Sequence, residues 1–145
     1  MAPTGSASPT LSVARFVLSF DGVEVAFSEL IGISSDVQPV QYVTGSGADT
    51  KQFGTNETPT VTLKRGVDGG SEIWDWHVAV RAGDPTARRT CVLKFVAASG
   101  QTLLTFLMEN AWPSKVDIAG LQSGQSRVLT ETDEFVCDSI LIQPG

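Results

Sequence analysis

His77 is the single histidine of the chain, and Cys91 and Cys137 are its two cysteines. Thiol, imidazole or zinc chemistry would have to be built around these three residues. A catalytic triad needs the imidazole beside a nucleophile and an orienting acid. His77 instead follows Trp76 on an expected helix face, which points to packing or a structural hydrogen bond. The spacings of 14 residues (His77 to Cys91) and 46 residues (Cys91 to Cys137) fit no zinc pattern. Both cysteines fall in strand-like runs, where Cys packs as a small hydrophobe, so two reduced thiols are expected.

Glu131, Asp133 and Glu134 have the residue types of an acid–base pair or a calcium site. On a strand, Glu131 and Asp133 point the same way. Like charges that close read first as a solvated face. The functional alternative is an acidic stripe facing an aqueous channel. Gly66, Gly69 and Gly70 precede a helix but lack the Lys-Ser/Thr ending of a phosphate-cradling loop. Arg88-Arg89 reads as a salt-bridging surface pair. Trp74, Trp76 and Trp112 could line a ligand pocket, but packing of a helix on a barrel is the simpler reading. Two residues subtend about 200° on a helix, so Trp74 and Trp76 cannot face the same way. No catalytic residue, metal or cofactor is assigned.

The elements that would position these residues are mostly strands. Ala14, Phe16, Leu18 and Phe20 share one face of a strand from about Val13 to Phe20. Asp21-Gly22 is a two-residue hairpin turn, and Val23, Val25 and Phe27 return on one face. Adjacent Leu30 and Ile31, then Gly32, break the alternation and mark a bulge or corner. A strand near Val37–Val43 contains Pro39, which makes its start an edge or bulge. Thr44 to Thr58 is polar and Gly-rich, a 15-residue stretch without periodicity, and reads as a long loop. Fully extended it would reach roughly 45–50 Å at about 3.3 Å per residue, and a hairpin version about half that, enough to touch a neighbouring subunit.

Pro59 to Arg65 is a strand with Val61 and Leu63 inward. Ser71 is placed to cap a helix from Glu72 to about Ala82, which Gly83 and Pro85 stop. Ile73, Trp76, His77 and Val80 form one face of it. Arg89–Ala97 and Thr102–Asn110 form a hairpin turning at Ser99-Gly100. Leu103 and Leu107 oppose Leu104, Phe106 and Met108, so both faces of that strand expect burial, one of them against another subunit. Trp112-Pro113 ends or kinks the strand, Lys115–Ile118 is placed to resume it, and Arg127 to Ile142 supplies one or two more.

At 145 residues, 41% hydrophobic and 18% charged, the chain suits one globular domain. A net charge of −6 argues against a nucleic-acid surface but not against DNA passing an acidic pore. No apolar run approaches a bilayer span, so no membrane insertion is expected. Residues 1–12 lack a signal-peptide pattern and read as a flexible arm before a β domain over 13–145.

Residues 15–142 resemble the phage tail-tube family, the inner tube of contractile injection systems. The resemblance rests on Arg15-Phe16-Val17 leading to Phe20-Asp21-Gly22, Phe27-Ser28-Glu29 before Ile31-Gly32-Ile33, and Thr62-Leu63-Lys64-Arg65-Gly66. It continues through Trp74-Asp75-Trp76, Arg88-Arg89, Asn110-Ala111-Trp112-Pro113-Ser114-Lys115 and Thr130-Glu131-Thr132. The order and spacing of these pieces carry it. It implies two antiparallel sheets forming a barrel-like sandwich with one flanking short α-helix, a fold shared with the type VI secretion tube protein. It implies hexameric rings stacked into a tube, with sheath and baseplate or spike proteins as partners and cargo or DNA in the lumen. It also implies assembly in the cytoplasm as part of a phage tail or phage-tail-like particle, which some systems release. The chain departs from the family in the Gly45-Ser46-Gly47 and Phe53-Gly54 segments and in an unusually acidic last strand. On this reading Gly45, Ser46, Gly47, Asp49, Lys51, Phe53 and Gly54 form an inter-subunit clasp, and Glu131, Asp133 and Glu134 face the lumen. Trp74, Trp76 and Trp112 pack the helix. The alternative is a monomeric small-ligand-binding β-barrel, which expects a cavity.

Overall fold

The computed structural model describes residues 10–43, 49–120 and 129–144. Apolar alternation sets the first hairpin: β1 (Arg15–Phe20) buries Leu18 and Phe20, and β2 (Val23–Phe27) buries Val25 and Phe27. Asp21 (φ 48°) and Gly22 (φ 77°) make the turn, with Phe20 opposite Val23. The chain then changes sheets at Ser28, whose N–H donates to the Lys64 carbonyl at 3.0 Å. It continues as β3 (Glu29–Ser34), whose register slips between Leu30 and Gly32. Ile31 is the extra residue of a bulge there, at the position where the alternation of the sequence breaks.

The stretch expected to be a long loop is corrected by a hairpin. β4 (Val37–Val43) pairs with β5 (Asp49–Asn56) in a two-stranded sheet of its own, with Pro39 at a register shift. Asp49, Lys51, Phe53 and Gly54 therefore lie on a strand, while Gly45, Ser46 and Gly47 fall outside the described residues. Backbone pairing with β4 defines β5. Its polar, Gly-containing composition carries no period-two signal, so the sequence pattern missed it.

The remaining strands are β6 (Thr60–Gly66), β7 (Arg89–Val96), β8 (Thr102–Ala119), β9 (Thr130–Val136) and β10 (Ser139–Pro144). The helix α1 (Glu72–Arg81) and a 3₁₀ turn at Pro85–Ala87 lie between β6 and β7. Strand order in the larger sheet is β2-β1-β7-β8-β9-β6-β3, with β10 also on β8. The 18-residue β8 belongs to two layers. Its first half lies between β7 and β10, and Trp112–Ala119 pairs with β9. Asn110 (φ 51°) sits at the crossing, and its Nδ2 donates to Asp138 Oδ2 at 2.8 Å. The strand does not end at Trp112-Pro113, as the sequence allowed; it runs on with a bulge between Pro113 and Lys115.

The result is a sandwich of antiparallel sheets whose hydrogen-bonded path does not close into a barrel. Leu18, Phe27, Leu93 and Met108 from one layer meet Val61, Leu63 and Phe135 from the other, all fully buried. Cys91 and Cys137 are buried free thiols in the same core.

The helix termini depart from one expectation. Ser71 makes no side-chain cap; its Oγ donates to Asp75 Oδ2 at 2.9 Å. The other end is closed by Gly83 (φ 77°), with Gly83 N–H bonded to Val80 O and Asp84 N–H to Ala79 O. Those two bonds satisfy the last carbonyls and require a left-handed residue at Gly83. Gly83→Ala should therefore lower the unfolding free energy by about 1 kcal/mol in a urea titration. An unchanged midpoint would mean that the helix end does not depend on that conformation.

Candidate interaction surfaces around a buried charge cluster

The apolar stripe of α1 places Ile73 and Trp76 in the core, with His77 and Val80 half-buried beside them. The Trp76 ring lies 4.5 Å from Phe20 of the first sheet and 5.8 Å from Phe135 of the second, between centroids. Its Nε1–H donates to the Ala87 carbonyl in the 3₁₀ turn. The Arg89 guanidinium sits 5.1 Å from the same ring and pairs with Asp21 at 3.1 Å. His77 Nδ1–H donates to the Pro113 carbonyl at 2.9 Å, tying α1 to β8. The imidazole is thus engaged in holding a helix on a strand.

Trp74 lies on the opposite side of α1 and is 45% exposed, next to exposed Val78. Trp112 is half-buried and lines an open cavity of about 440 Å³ with Val80, Pro85, Ala87 and Arg88. The three tryptophans occupy three different environments and build no common pocket.

The carboxylates of β9 need a correction. Strand alternation puts Glu131 and Asp133 on the same face as Phe135, and all three point into the sandwich. Arg65, in step with Val61 and Leu63 on β6, is buried opposite them. Arg65 Nε donates to Glu131 Oε2 at 3.2 Å and its Nη2 to Oε1 at 3.5 Å. The same guanidinium reaches Asp68 and Glu72 at 3.9 Å and lies 5.7 Å from the Phe27 ring. Glu131 and Asp133 therefore cannot line an aqueous channel in this fold. A strand-parity reading anchored on Phe135 would have found this, and parity with Leu63 would have found Arg65.

Asp133 is fully buried, and neither of its oxygens has a hydrogen-bond partner at full contact distance. Burial first, and then the adjacent Glu131, push its pKa up to about 9, against a smaller opposing pull from Arg65. Asp133 therefore keeps its proton at neutral pH. Burial likewise pushes the Cys91 thiol up to about 12 and the Cys137 thiol up to about 11. Neither is a thiolate at neutral pH, so neither is poised as a nucleophile. Among the described residues, no group of three or more His, Cys, Asp or Glu could hold a metal ion.

The two outer faces differ in chemistry. On the second sheet, cross-strand rows run Thr62–Glu134–Lys115 and Lys64–Thr132–Asp117, and Lys64 pairs with Glu29 at 3.7 Å. Glu134 is half-buried there, and Ser114 Oγ donates to its Oε1 at 3.2 Å. On the first sheet, Val92, Leu107 and Leu141 form an apolar row. One outer face carries paired charges of both signs, and the other sets this apolar row beside a polar one of Lys94, Thr105 and Gln143. Among the described residues, no helix is long and apolar enough to cross a membrane.

The profile of the T4-like virus tail tube protein gp19 family matches residues 12–140. The fold is similar to a chain of the PVC sheath–tube complex of an extracellular contractile injection system in its extended state. That match has 20% identity and a TM-score of 0.79, and covers 94% of this chain and 93% of the other. A chain of the anti-feeding prophage cap, which terminates that tube, matches at 19% identity and a TM-score of 0.80, covering 100% of both. Hcp1 from Flavobacterium johnsoniae matches at 18% identity and a TM-score of 0.54, covering 90% of this chain and 96% of its own. No curated protein matches the sequence.

The raised acid fixes a pH dependence. Unfolded Asp133 releases its proton near 3.8, whereas the folded group holds it to about 9. Folding therefore carries no ionisation cost below pH 4, and stability falls as pH rises toward 9, at up to about 1.4 kcal/mol per pH unit. Asp133→Asn should flatten that slope and make the protein more stable than wild type at pH 7.5 by about 2 kcal/mol, after the cost of burying an amide. Urea unfolding from pH 4.5 to 8.5 checks it, and parallel profiles for the two proteins would contradict it.

Proposed function

The chain belongs to the T4-like virus tail tube protein family, and from that premise we propose that it is a structural subunit of the inner tube of a contractile injection system or phage tail. In this reading it assembles as six-membered rings that stack around a central channel for cargo or DNA. The observation that carries the reading is the family match over residues 12–140, supported by similarity over nearly the whole chain to chains of a PVC sheath–tube complex and of the anti-feeding prophage cap. Sheath and baseplate proteins are its expected partners. It catalyses no reaction and needs no cofactor. Assembly takes place in the cytoplasm, with release as part of the finished particle.

Two features of the fold support a subunit designed for contact. A two-stranded hairpin is marginal by itself in water, and β4–β5 forms a ladder separate from the larger sheet. A neighbouring subunit would supply its missing support, so the clasp assigned to Thr44–Thr58 is carried by this hairpin. The charged outer face of the second sheet suits a channel wall. There Glu134 keeps the lumen role first given to three carboxylates, with Lys115 and Thr62 beside it. A wall of mixed charge lets a charged passenger move without being held.

Removal of residues 46–55 tests the clasp. The truncated protein should fold but lose stacked assemblies, read by sedimentation velocity at a concentration where wild type forms tubes. Tubes at wild-type yield would remove the hairpin from the ring contacts.

A further inference from the structure

Two acids are buried among the described residues, and their surroundings differ. Glu131 holds the Arg65 guanidinium at 3.2 and 3.5 Å. Asp133 is fully buried, and neither of its oxygens has a partner. An orphaned polar group in a packed core calls for a physical explanation. The proton supplies it here, because a protonated carboxyl brings no net charge to desolvate. We propose that this cluster is an alkali-triggered release: when Asp133 gives its proton to hydroxide, the new anion draws Arg65 inward, away from Asp68 and Glu72, and the connection from β6 into α1 comes loose.

The charges around Asp133 single out Arg65 as the group that must answer. Across the ladders its neighbours are Leu63 on β6 and Val116 on β8, which carry no charge. Glu131 shares its strand face, Arg65 comes from β6, and Asp68 and Glu72 reach the same guanidinium from the connection and from α1. The contacts of Arg65 are unequal. Its bonds to Glu131 lie inside the sandwich, where charges attract strongly. Its outer contacts are 3.9 Å long, to side chains 70% and 42% exposed, where water screens them. Glu131 and Asp133 stand roughly 7 Å apart along one face of β9, and a guanidinium has five donors. Arg65 can keep Glu131 while turning to Asp133, and the outer contacts are the ones given up.

The segment held by those outer contacts is otherwise lightly fastened. It runs Val67-Asp68-Gly69-Gly70-Ser71, with Gly69 at φ 91°. Ser71 makes no side-chain cap on α1. Glu72 is the first residue of the helix, and its carboxylate and that of Asp68 converge where a side chain on Gly70 would stand. Farther along α1 the attachment is firm: Ile73 and Trp76 are buried, and His77 donates to the Pro113 carbonyl. Release of Arg65 thus opens residues 67–72 and leaves the body of the sandwich closed. Burial, and then Glu131, push the Asp133 acid up to about 9, so the trigger is silent at neutral pH and acts in alkaline medium. The device goes beyond the tube-subunit reading and does not rest on it, since all of its parts lie in one chain.

Carbon-13 NMR of the labelled full-length chain from pH 6 to 10.5 tests this. The Asp133 carboxyl carbon should titrate with a midpoint of about 9. The backbone carbons of residues 67–72 should shift with the same midpoint, reversibly and with unchanged far-ultraviolet circular dichroism. Trypsin should cut after Arg65 about tenfold faster at pH 9.5 than at pH 7.5, relative to the exposed site at Arg81, and Asp133→Asn should remove that rise. An Asp133 carboxyl that titrates in the ordinary carboxylate range would overturn the proposal. So would residues 67–72 that stay still while it titrates. Loss of the circular dichroism in step with the titration would overturn it too, because the whole domain would then open instead of the connection. An equal rise in cutting for Asp133→Asn would place the trigger elsewhere and overturn it as well. If the variant fails to fold, the carbon titration of wild type decides alone. None of these readouts measures assembly, so their failure leaves the tube-subunit reading untouched.

Discussion

The fold depends on one side chain that touches both of its sheets. β8 runs through the two layers, so each layer inherits its position from the same strand. A sandwich joined in this way still has to fix how the layers close on each other. Trp76 does this, in contact with Phe20 on one side, Phe135 on the other and the Ala87 carbonyl at its polar end. Burying a ring of that size contributes on the order of 5 kcal/mol of transfer free energy. The Asp21–Arg89 pair and the His77–Pro113 bond then hold the surrounding turn and helix in register with it. The helix is thus part of the core, and its outer side, with Trp74 and Val78, is free for other contacts.

Next to this apolar arrangement sits a polar one under tension. Arg65 satisfies Glu131 with two hydrogen bonds and connects strand β6 to the loop and helix through Asp68 and Glu72. Asp133 has no such partner and survives burial by keeping its proton. A buried ion pair is weak evidence for stability in itself, because desolvation offsets much of its attraction. Its contribution here is geometric: the guanidinium on β6 joins Glu131 of β9 to Asp68 and Glu72 at the start of α1.

Much of this was legible in the sequence. The Asp21-Gly22 turn, the slip at Leu30-Ile31, the helix from Glu72 and its end at Gly83 all have local causes, and local causes are visible in a chain. Placing Val61 and Leu63 inward was legible by parity alone. The inward turn of Arg65, Glu131 and Asp133 follows from the same parity, but their charge argued for water and concealed it. β5 was hidden for a different reason: a strand made by backbone pairing, with polar residues and Gly54, leaves no periodic trace. The Ser71 cap does not form: its backbone (φ −119°, ψ 15°) is not extended as a cap residue's is, and its Oγ donates to Asp75 instead of accepting from a first-turn N–H. Which layer each strand joins could not be read locally, since it depends on the passage of β8 from one layer to the other.

On the proposed reading, a charged outer face, an apolar row on the other face and a separate hairpin suit a subunit that meets copies of itself. The most direct measurement is negative-stain electron microscopy of the purified chain, with its mass taken by size-exclusion chromatography and light scattering. The account predicts annular particles with a central hole and sixfold symmetry, stacking into tubes at high concentration. A species that stays strictly monomeric at high concentration, even with sheath and baseplate proteins present, would contradict it.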